Sequence, residues 1–289
     1  MSLHPAAADL SRVASTRTSQ PAHAHAAAPS GEKVAAAARG GGRLRLPRVL
    51  LCDLDGTLID SMPVLADLAT EVMGEIFGTP SALARELYIA TCGLPFVRQL
   101  EAIFPGDPRN AEASDRFEAR KPERCDRIRM AEDVVRALGE LKARGVSIVV
   151  SSNNGNHNVK SFAASAGFPF DLVLGFGDGM GKGRPHIERA EAVFGVDRSE
   201  MVFVGDSLHD GEIAEREGLE FVGLAGTFSR ERFALRFPES PVVRRFAELP
   251  RLFDGSRSAL RPANDAAGSR KGGGLTTEPA SVVASLPTR

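Results

Sequence analysis

Two aspartates follow the first strand that the sequence predicts. Asp53 and Asp55 come directly after the apolar run Arg48 to Cys52, and their spacing points both side chains the same way. Adjacent carboxylates attract a cation, and in an open parallel sheet ligands bind beyond the carboxyl ends of the strands. The ordinary alternative is a turn at Asp55-Gly56, with Asp55 as a helix cap.

A second acidic pair follows the Val-rich run Met201 to Val204. In Gly205-Asp206-Ser207-Leu208-His209-Asp210 the two aspartates are four residues apart, so they share one face if a helix begins there. Alone, this pattern also fits a helix N-cap with an acid in the first turn. Two acidic clusters at the ends of two strands are harder to explain as caps, which favours a functional site.

The elements that must position these aspartates alternate between strands and helices. Short apolar runs predict buried strands at Arg48 to Cys52, Val146 to Val150, Phe170 to Leu174, Met201 to Val204 and Phe221 to Leu224. Between the last four runs, helical periodicity covers Val159 to Ala166, Ile187 to Phe194 and Ile213 to Glu217. This alternation predicts an α/β fold with a parallel sheet and helices on both faces.

The gap between Cys52 and Val146 is far longer than a simple crossover, which needs about a dozen residues. It contains helical patterns at Val64 to Phe77, Ala82 to Ala90, Phe96 to Phe104 and Ala113 to Lys121. We therefore predict a small helical cap domain over residues 62–128, with the catalytic core formed by residues 47–61 and 129–254. Glu132 to Arg144 is expected to be the first core helix.

Residues 1–46 and 255–289 are poor in large apolar side chains, so they cannot offset the entropy of ordering and are expected to be disordered tails. Lys plus Arg number 36 and Asp plus Glu 37, which leaves no net field to attract nucleic acid or an anionic membrane. Three cysteines without metal-type spacing suit a reducing compartment. The expectation is a cytoplasmic protein with a small-molecule partner, whose oligomeric state the sequence leaves open.

Both acidic motifs together resemble a known family. Asp-x-Asp-Gly-Thr at residues 53–57 and Gly-Asp-Ser-x-x-Asp at residues 205–210 are similar to motifs of the haloacid dehalogenase superfamily, over roughly residues 48–250. The resemblance implies a doubly wound, Rossmann-type sheet with strand order 5-4-1-2-3. The first and fourth strands would then be neighbours, which would bring the two acidic clusters together.

The resemblance also implies a hydroxyl side chain at the end of the second strand. Ser151 and Ser152 both fit that position, and the count from Gly145 favours Ser152, with Asn153 following it. A hydroxyl and a backbone N–H there could hold a phosphoryl oxygen.

A lysine is implied before the helix that follows the third strand. Lys182-Gly183-Arg184-Pro185 matches the position, with Lys182 as the first choice and Arg184 as the alternative. The glycines around this lysine do not form a phosphate-binding Walker loop, because Phe176 and Gly183 break that pattern.

The chemistry that the resemblance implies is phosphoryl transfer to an aspartate. Asp53 would attack phosphorus and form an aspartyl phosphate, and Asp55 would protonate the leaving alcohol and later deprotonate water. Mg²⁺ is the implied cofactor, and a small phosphorylated metabolite is the implied substrate. The implied metal ligands are Asp53, Asp55 through its carbonyl, Asp206 and Asp210, and the implied phosphate-binding residues are Thr57, Ser152, Asn153 and Lys182.

Two other functions remain open at this point. A phosphosugar mutase of the same superfamily would use the same aspartates, and a non-catalytic phosphate-binding module would lack at least one of them. A dehalogenase would not need Asp55. Phosphoglycolate phosphatases share the cap placement, but Ile128-Arg129-Met130-Ala131-Glu132 replaces their usual Pro-Gly-Val before the core helix. The sequence therefore does not name the substrate.

Overall fold

A computed structural model describes residues 44–254 of the chain. The strands in this range are β1 (Leu44–Arg45), β2 (Val49–Cys52), β3 (Ser147–Gly155), β4 (Leu172–Phe176), β5 (Met201–Gly205), β6 (Glu220–Leu224), β7 (Val242–Val243) and β8 (Phe253–Asp254). Six of them form one parallel sheet in the order β4-β3-β2-β5-β6-β7. The first predicted strand therefore lies between the second and the fourth, as the resemblance implies.

The helices in this range are α1 (Met62–Phe77), α2 (Ser81–Ala90), α3 (Phe96–Ile103), α4 (Asn110–Cys125), α5 (Glu132–Ala143), α6 (Asn156–Ser165), α7 (Arg184–Phe194), α8 (Leu208–Glu217) and α9 (Arg230–Arg236). Two 3₁₀ turns cover Arg198–Glu200 and Phe246–Leu252. The first four helices lie between β2 and β3, where the sequence predicts the cap. None of the described helices is long and apolar enough to cross a membrane.

Strand β2 is buried on both faces, which is typical of the central strand of a parallel sheet. Its side chains alternate between two hydrophobic clusters: Val49 and Leu51 belong to one, and Leu50 and Cys52 to the other. One cluster also contains residues of α7 and α8, and the other contains residues of α5. The α/β fold with helices on both sides of a parallel sheet is thus confirmed.

The four helices inserted after β2 pack against one another. Helix α1 contacts both α2 and α4, and α3 contacts α4. In their interior Phe96 stacks on Phe117 with the ring centroids 4.0 Å apart. Both rings belong to the same hydrophobic cluster as Val49 and Leu51 of the sheet, so apolar packing is continuous from the insertion into the core.

Several elements differ from the sequence-based expectation. Strand β3 continues beyond Val150 through Ser-Ser-Asn-Asn to Gly155, a polar stretch that resembles a turn when it is considered alone. The two-residue strands β1, β7 and β8 were not predicted, because two residues cannot show a periodicity, and helix α9 was not predicted because it has only seven residues. Leu44–Arg45 lies within the predicted N-terminal tail and pairs with Phe253–Asp254. The other tail residues, 1–43 and 255–289, lie outside the described range.

Candidate active site

The carboxyl ends of β2 and β5 bring three aspartates together. Cys52 lies opposite Val204 in the sheet, and the Asp53 N–H donates to the Val204 carbonyl at 3.0 Å. Asp206 and Asp210 follow β5, and one carboxylate oxygen from each of the three aspartates lies within 4.8 Å of the others. All three side chains are buried. The structure therefore joins the two acidic motifs into one cluster.

A tight turn after β2 makes room for Asp206. Gly56 has φ +89°, and a Cβ there would overlap the Asp206 carboxylate, so a side chain is excluded both by conformation and by space. Thr57 does not line the cavity that lies between the three aspartates and the inserted helices. Its hydroxyl instead donates to Asp206 Oδ1 at 3.3 Å. The Thr227 hydroxyl donates to Asp206 Oδ2. The two threonines thus hold Asp206 from both sides, and the sequence reasoning missed Thr227 because no motif surrounds it.

Lys182 lies at the centre of the acidic cluster. Its Nζ donates to Asp53 Oδ1 and, at 2.9 Å, to Asp210 Oδ1. The alternative candidate, Arg184, has a side chain that is 65% exposed, and it pairs with the Glu217 carboxylate instead of the aspartates. Of the two basic residues that the sequence left open, Lys182 is the one that reaches the aspartates.

Asp210 also takes part in the N-terminal cap of helix α8, whose N-cap residue is Ser207. Its Oδ2 accepts from the Ser207 N–H at 3.2 Å and from the Ser207 hydroxyl at 2.6 Å, while the Ser207 Oγ accepts from the Asp210 N–H at 3.1 Å. This reciprocal pair is a capping box. Asp210 therefore serves both interpretations of this motif, since it stabilises the start of α8 and also belongs to the acidic cluster.

The two serines at the end of β3 point in different directions. Ser152 lines the cavity, and its Oγ accepts from the Asn154 N–H. Ser151 Oγ lies 2.9 Å from Nδ1 of the buried His186, whose Nε2 lies 3.2 Å from the Gly175 carbonyl. Because a carbonyl only accepts, Nε2 carries the proton and Nδ1 accepts from Ser151. Alternation along a strand separates the pair, and only Ser152 faces the site.

Asn153 has both ends of its amide engaged with protein. Its Nδ2 donates to the Gly93 carbonyl at 2.7 Å, and its Oδ1 accepts from the Lys182 N–H at 3.0 Å. Gly93 follows α2 in the inserted helices, whereas Lys182 precedes α7 in the core. The Asn153 side chain thus connects the inserted segment to the lysine segment. A phosphate contact by this residue remains a prediction.

Asp55 lies apart from the three clustered aspartates. Its Oδ1 accepts from the Ser61 hydroxyl at 2.7 Å. Its Oδ2 lies 3.4 Å from Lys121 Nζ and 3.4 Å from Asn154 Nδ2. Sequence reasoning did not single out these three partners. Lys121 could have been noticed, because it lies one helical turn after Phe117 on the apolar face of its helix.

The buried cluster contains three carboxyl groups and one ammonium group, that of Lys182. Burial raises the pKa of Asp53 to about 6, although Lys182 acts to lower it. Burial, together with the Asp53 and Asp210 carboxylates, raises the pKa of Asp206 well above its usual range. Burial alone would lower the pKa of Lys182, but Asp210 and Asp53 outweigh it and raise that pKa. Three buried carboxylates with one ammonium suit a cation, and carboxylate oxygens are the ligands that Mg²⁺ prefers.

A cavity opens between this cluster and the inserted helices. Its core side includes Asp53, Asp55, Ser152, Lys182, Asp206 and Asp210. Its other side includes Tyr88, Leu94, Phe96, Phe117, Glu118 and Lys121. A small molecule in this cavity would meet the acidic cluster at one end and the helices α2 to α4 at the other.

Comparison with known proteins matches these features to a family. Residues 50–224 match the family model described as haloacid dehalogenase-like hydrolase. The chain belongs to the haloacid dehalogenase-like hydrolases. This confirms the resemblance that the two acidic motifs indicated and the fold that it implied.

Individual proteins are also similar to this chain over about two thirds of its length or more. A phosphoglycolate phosphatase of Pectobacterium atrosepticum is 29% identical over 225 residues, which are 73% of this chain and 94% of that protein. A phosphoglycolate phosphatase of Rhodospirillum rubrum is 27% identical over 203 residues, 65% of this chain and 84% of that protein. A solved haloacid dehalogenase-like hydrolase of Streptococcus pneumoniae shares the fold, with a TM-score of 0.60 and 17% identity. The match covers 70% of this chain and 96% of that protein.

Proposed function

We propose that this chain hydrolyses phosphate monoesters of small metabolites through an aspartyl phosphate on Asp53, with Mg²⁺ as cofactor. The observation that carries the proposal is the different setting of two aspartates from one strand end. Asp53 is bound by Lys182 beside Asp206 and Asp210, whereas Asp55 is held separately by Ser61. Two carboxyl groups in different environments can divide the work of nucleophile and acid.

Asp53 is the nucleophile of the proposed reaction. Its buried carboxylate attacks phosphorus, the bond from phosphorus to the leaving oxygen breaks, and the phosphoryl group is then carried by Asp53. Lys182 keeps the Asp53 carboxylate oriented and offers positive charge to the equatorial oxygens. The Ser152 hydroxyl, at the cavity wall, donates to the same oxygens.

Asp55 moves the proton in both half-reactions. It gives its proton to the leaving alcohol in the first and takes one from the attacking water in the second. Ser61 holds Oδ1 at 2.7 Å, and Oδ2, which lies 3.4 Å from both Lys121 Nζ and Asn154 Nδ2, faces the leaving group. One residue can serve both steps, because the first step leaves Asp55 deprotonated and the second step needs a deprotonated Asp55 to accept the proton of water.

The metal would be held by the carboxylates of Asp53, Asp206 and Asp210 together with the Asp55 carbonyl. Bound Mg²⁺ would neutralise charge between the carboxylates and the incoming phosphate. Lys182 already fixes Asp210 Oδ1, and the hydroxyls of Thr57 and Thr227 already fix Asp206. These two metal ligands are therefore preorganised.

Residues 62–128 are proposed to act as a cap that closes over the site, with Leu58 to Met62 and Arg129 to Glu132 as hinges. Thr91 to Arg98 is proposed to contact the leaving group. The bond from Asn153 to Gly93 supports this, because it brings the segment against the core. Relatives named phosphoglycolate phosphatases make phosphoglycolate the first substrate to try, followed by three-carbon and sugar phosphates.

The test is a phosphate-release assay over such a panel, with Mg²⁺ and with a chelator. Asp53→Asn should lower kcat by at least about 1,000-fold, because the nucleophile is lost. Asp115→Asn makes the same chemical change at an exposed position of α4 and should leave kcat unchanged. A radiolabelled phosphoryl group should remain on acid-quenched wild-type protein and be absent from Asp53→Asn.

The alternatives give different results in that assay. A phosphosugar mutase would yield an isomerised sugar phosphate in place of free phosphate. A non-catalytic binding module would bind phosphate esters, release no phosphate and be indifferent to Asp53→Asn. Either result would require the proposed function to be given up.

A further inference from the structure

Helix α4 places a lysine where its pattern calls for an apolar residue. Its buried positions are Asn110, Ala113, Ser114, Phe117 and Lys121, which follow the spacing of one helical face. Lys121 is only 7% exposed. A buried ammonium is costly unless a partner compensates it, so Lys121 needs a reason to lie there.

The partner that the protein supplies holds Lys121 loosely. Within residues 44–254 the Nζ atom has one hydrogen-bond acceptor, Asp55 Oδ2 at 3.4 Å. Strong bonds between an ammonium and a carboxylate are about 2.7–2.9 Å long. An ammonium has three donors, and Nζ also lies 5.8 Å from the centroid of the Phe117 ring, which is not a hydrogen-bond acceptor of comparable strength. Lys121 therefore has donor capacity left for a ligand.

Lys121 also stands in a distinctive place in the cavity. Among the described residues that line it, two carry an ammonium group, Lys182 and Lys121. Lys182 is engaged by two aspartates of the core. Lys121 lies on the side formed by the inserted helices, which also carries the Tyr88 and Phe96 rings and the Glu118 carboxylate. A negative substituent that points away from the phosphate would meet Lys121.

The charge of Lys121 is maintained despite its burial. Burial disfavours the ammonium, but the Asp55 carboxylate, 3.4 Å from Nζ, supplies an opposite charge that compensates it. A group of opposite charge in the cavity would be attracted with little screening by solvent.

We infer that Lys121 determines substrate specificity by binding a carboxylate on the leaving group. The favoured substrates are phosphate esters of small 2-hydroxy acids, and this inference rests on the proposed phosphatase function. In such an ester two carbon atoms join the ester oxygen to a carboxylate oxygen. The ester oxygen can therefore face Asp55 while the carboxylate oxygen faces Lys121, because the Asp55 and Lys121 side chains are neighbours.

A different role for Lys121 would be to position Asp55 alone. In that role Lys121 would act on every substrate equally, since Asp55 protonates every leaving group. The two roles are separated by comparing esters that differ only in the carboxylate. Phosphoglycolate and ethyl phosphate form such a pair, because both have a two-carbon leaving group.

The experiment measures kcat and KM of wild type, Lys121→Met and Lys160→Met on both esters. The ratio of kcat/KM for phosphoglycolate to that for ethyl phosphate should fall about 10- to 100-fold in Lys121→Met, mainly through KM. Lys160 is exposed on α6, so Lys160→Met is the matched control and should keep the wild-type ratio. Lys121→Arg should retain part of the preference.

Each other outcome overturns the inference. Equal losses on both esters would assign Lys121 to positioning Asp55, and an unchanged ratio would leave it no role in recognition. A wild type without preference for the carboxylate would do the same. Lys121→Gln supplies the same comparison if Lys121→Met does not fold. Release of phosphate from neither ester, nor from the wider panel, would instead overturn the proposed function itself.

Discussion

Asp53 and Asp55 leave one strand end two residues apart, yet they have different neighbours. Asp53 accepts from Lys182 in a group of buried carboxylates, and burial raises its pKa to about 6. Asp55 accepts from the Ser61 hydroxyl and lies nearer to the inserted helices, beside Lys121. At the scale of single residues, the surroundings thus separate two chemically identical groups.

Asp55→Asn tests that separation. We expect kcat to fall about 100- to 10,000-fold, because the leaving alcohol loses its acid, while Mg²⁺ affinity changes little since only the Asp55 carbonyl is proposed to bind the ion. The loss should be smaller for an ester with a good leaving group, such as p-nitrophenyl phosphate. Steady-state kinetics and calorimetric Mg²⁺ titration measure both effects. Abolished Mg²⁺ binding would show that the Asp55 side chain serves the metal.

Residues inside motifs could be found from sequence, and residues outside them could not. The aspartate pairs were singled out by their spacing and Lys182 by the family resemblance, and the structure brings Asp53, Asp206, Asp210 and Lys182 together. The choice between Ser151 and Ser152 needed the structure, because a one-residue shift at a strand end reverses the face. Thr227 reaches Asp206 from a loop after β6, where no local pattern predicts such a contact.

At the scale of elements, a buried histidine connects β3 to α7. His186 accepts from Ser151 in the strand and donates to the carbonyl of Gly175 in β4. It lies four residues after Lys182, so these bonds fix the start of the helix that follows the lysine. Burial lowers the pKa of His186 to about 4, which keeps the ring neutral and able to accept.

The His186 pKa predicts how stability depends on pH. The folded pKa of about 4 is below the ordinary 6.5, so on acidification the unfolded chain takes up the proton first. This group contributes no pH dependence above pH 6.5, and it lowers the free energy of unfolding by up to about 3 kcal/mol between pH 6.5 and pH 4. Urea denaturation at several pH values should show a shallower dependence in His186→Gln. Parallel profiles for the two proteins would exclude this role.

The strands and helices were predictable where hydrophobic periodicity is strong. Short apolar runs, several of them rich in Val, identified the five strands β2 to β6, and the long interval after Cys52 identified the inserted helices. The polar residues Ser151 to Gly155 concealed the end of β3, since they are favoured in turns. Helix α9 was missed because it has only seven residues, too few for a clear period.

At the scale of the whole molecule, the acidic cluster opposes folding. Asp53, Asp206 and Asp210 are buried close together, and Lys182 neutralises one charge. The unfolded chain separates and hydrates these groups, so without a cation the folded state carries their repulsion. A cation that binds only the folded state would relieve it and stabilise the protein.

Asp206→Asn should therefore raise the Tm of the metal-free protein, by about 2–6 °C, because one buried charge is removed while an amide can keep a hydrogen-bonded place. Adding Mg²⁺ should raise the Tm of wild type and have a smaller effect on the variant. Thermal unfolding with a chelator and with Mg²⁺ measures both. A lower Tm of Asp206→Asn in chelator would mean that the bonds from Thr57 and Thr227 outweigh the repulsion.

The pairing of β1 with β8 has a consequence for how the chain can be reconnected. Leu44 lies opposite Phe253 and Arg45 opposite Asp254 in a parallel pair, so the described range begins and ends side by side. Neighbouring strands are about 4.8 Å apart, but the chain must turn back to begin a parallel strand, so a linker of about a dozen residues would join Asp254 to Leu44. New termini could then be opened in the exposed turn at Gly106, which would yield a circular permutant with the same sheet order.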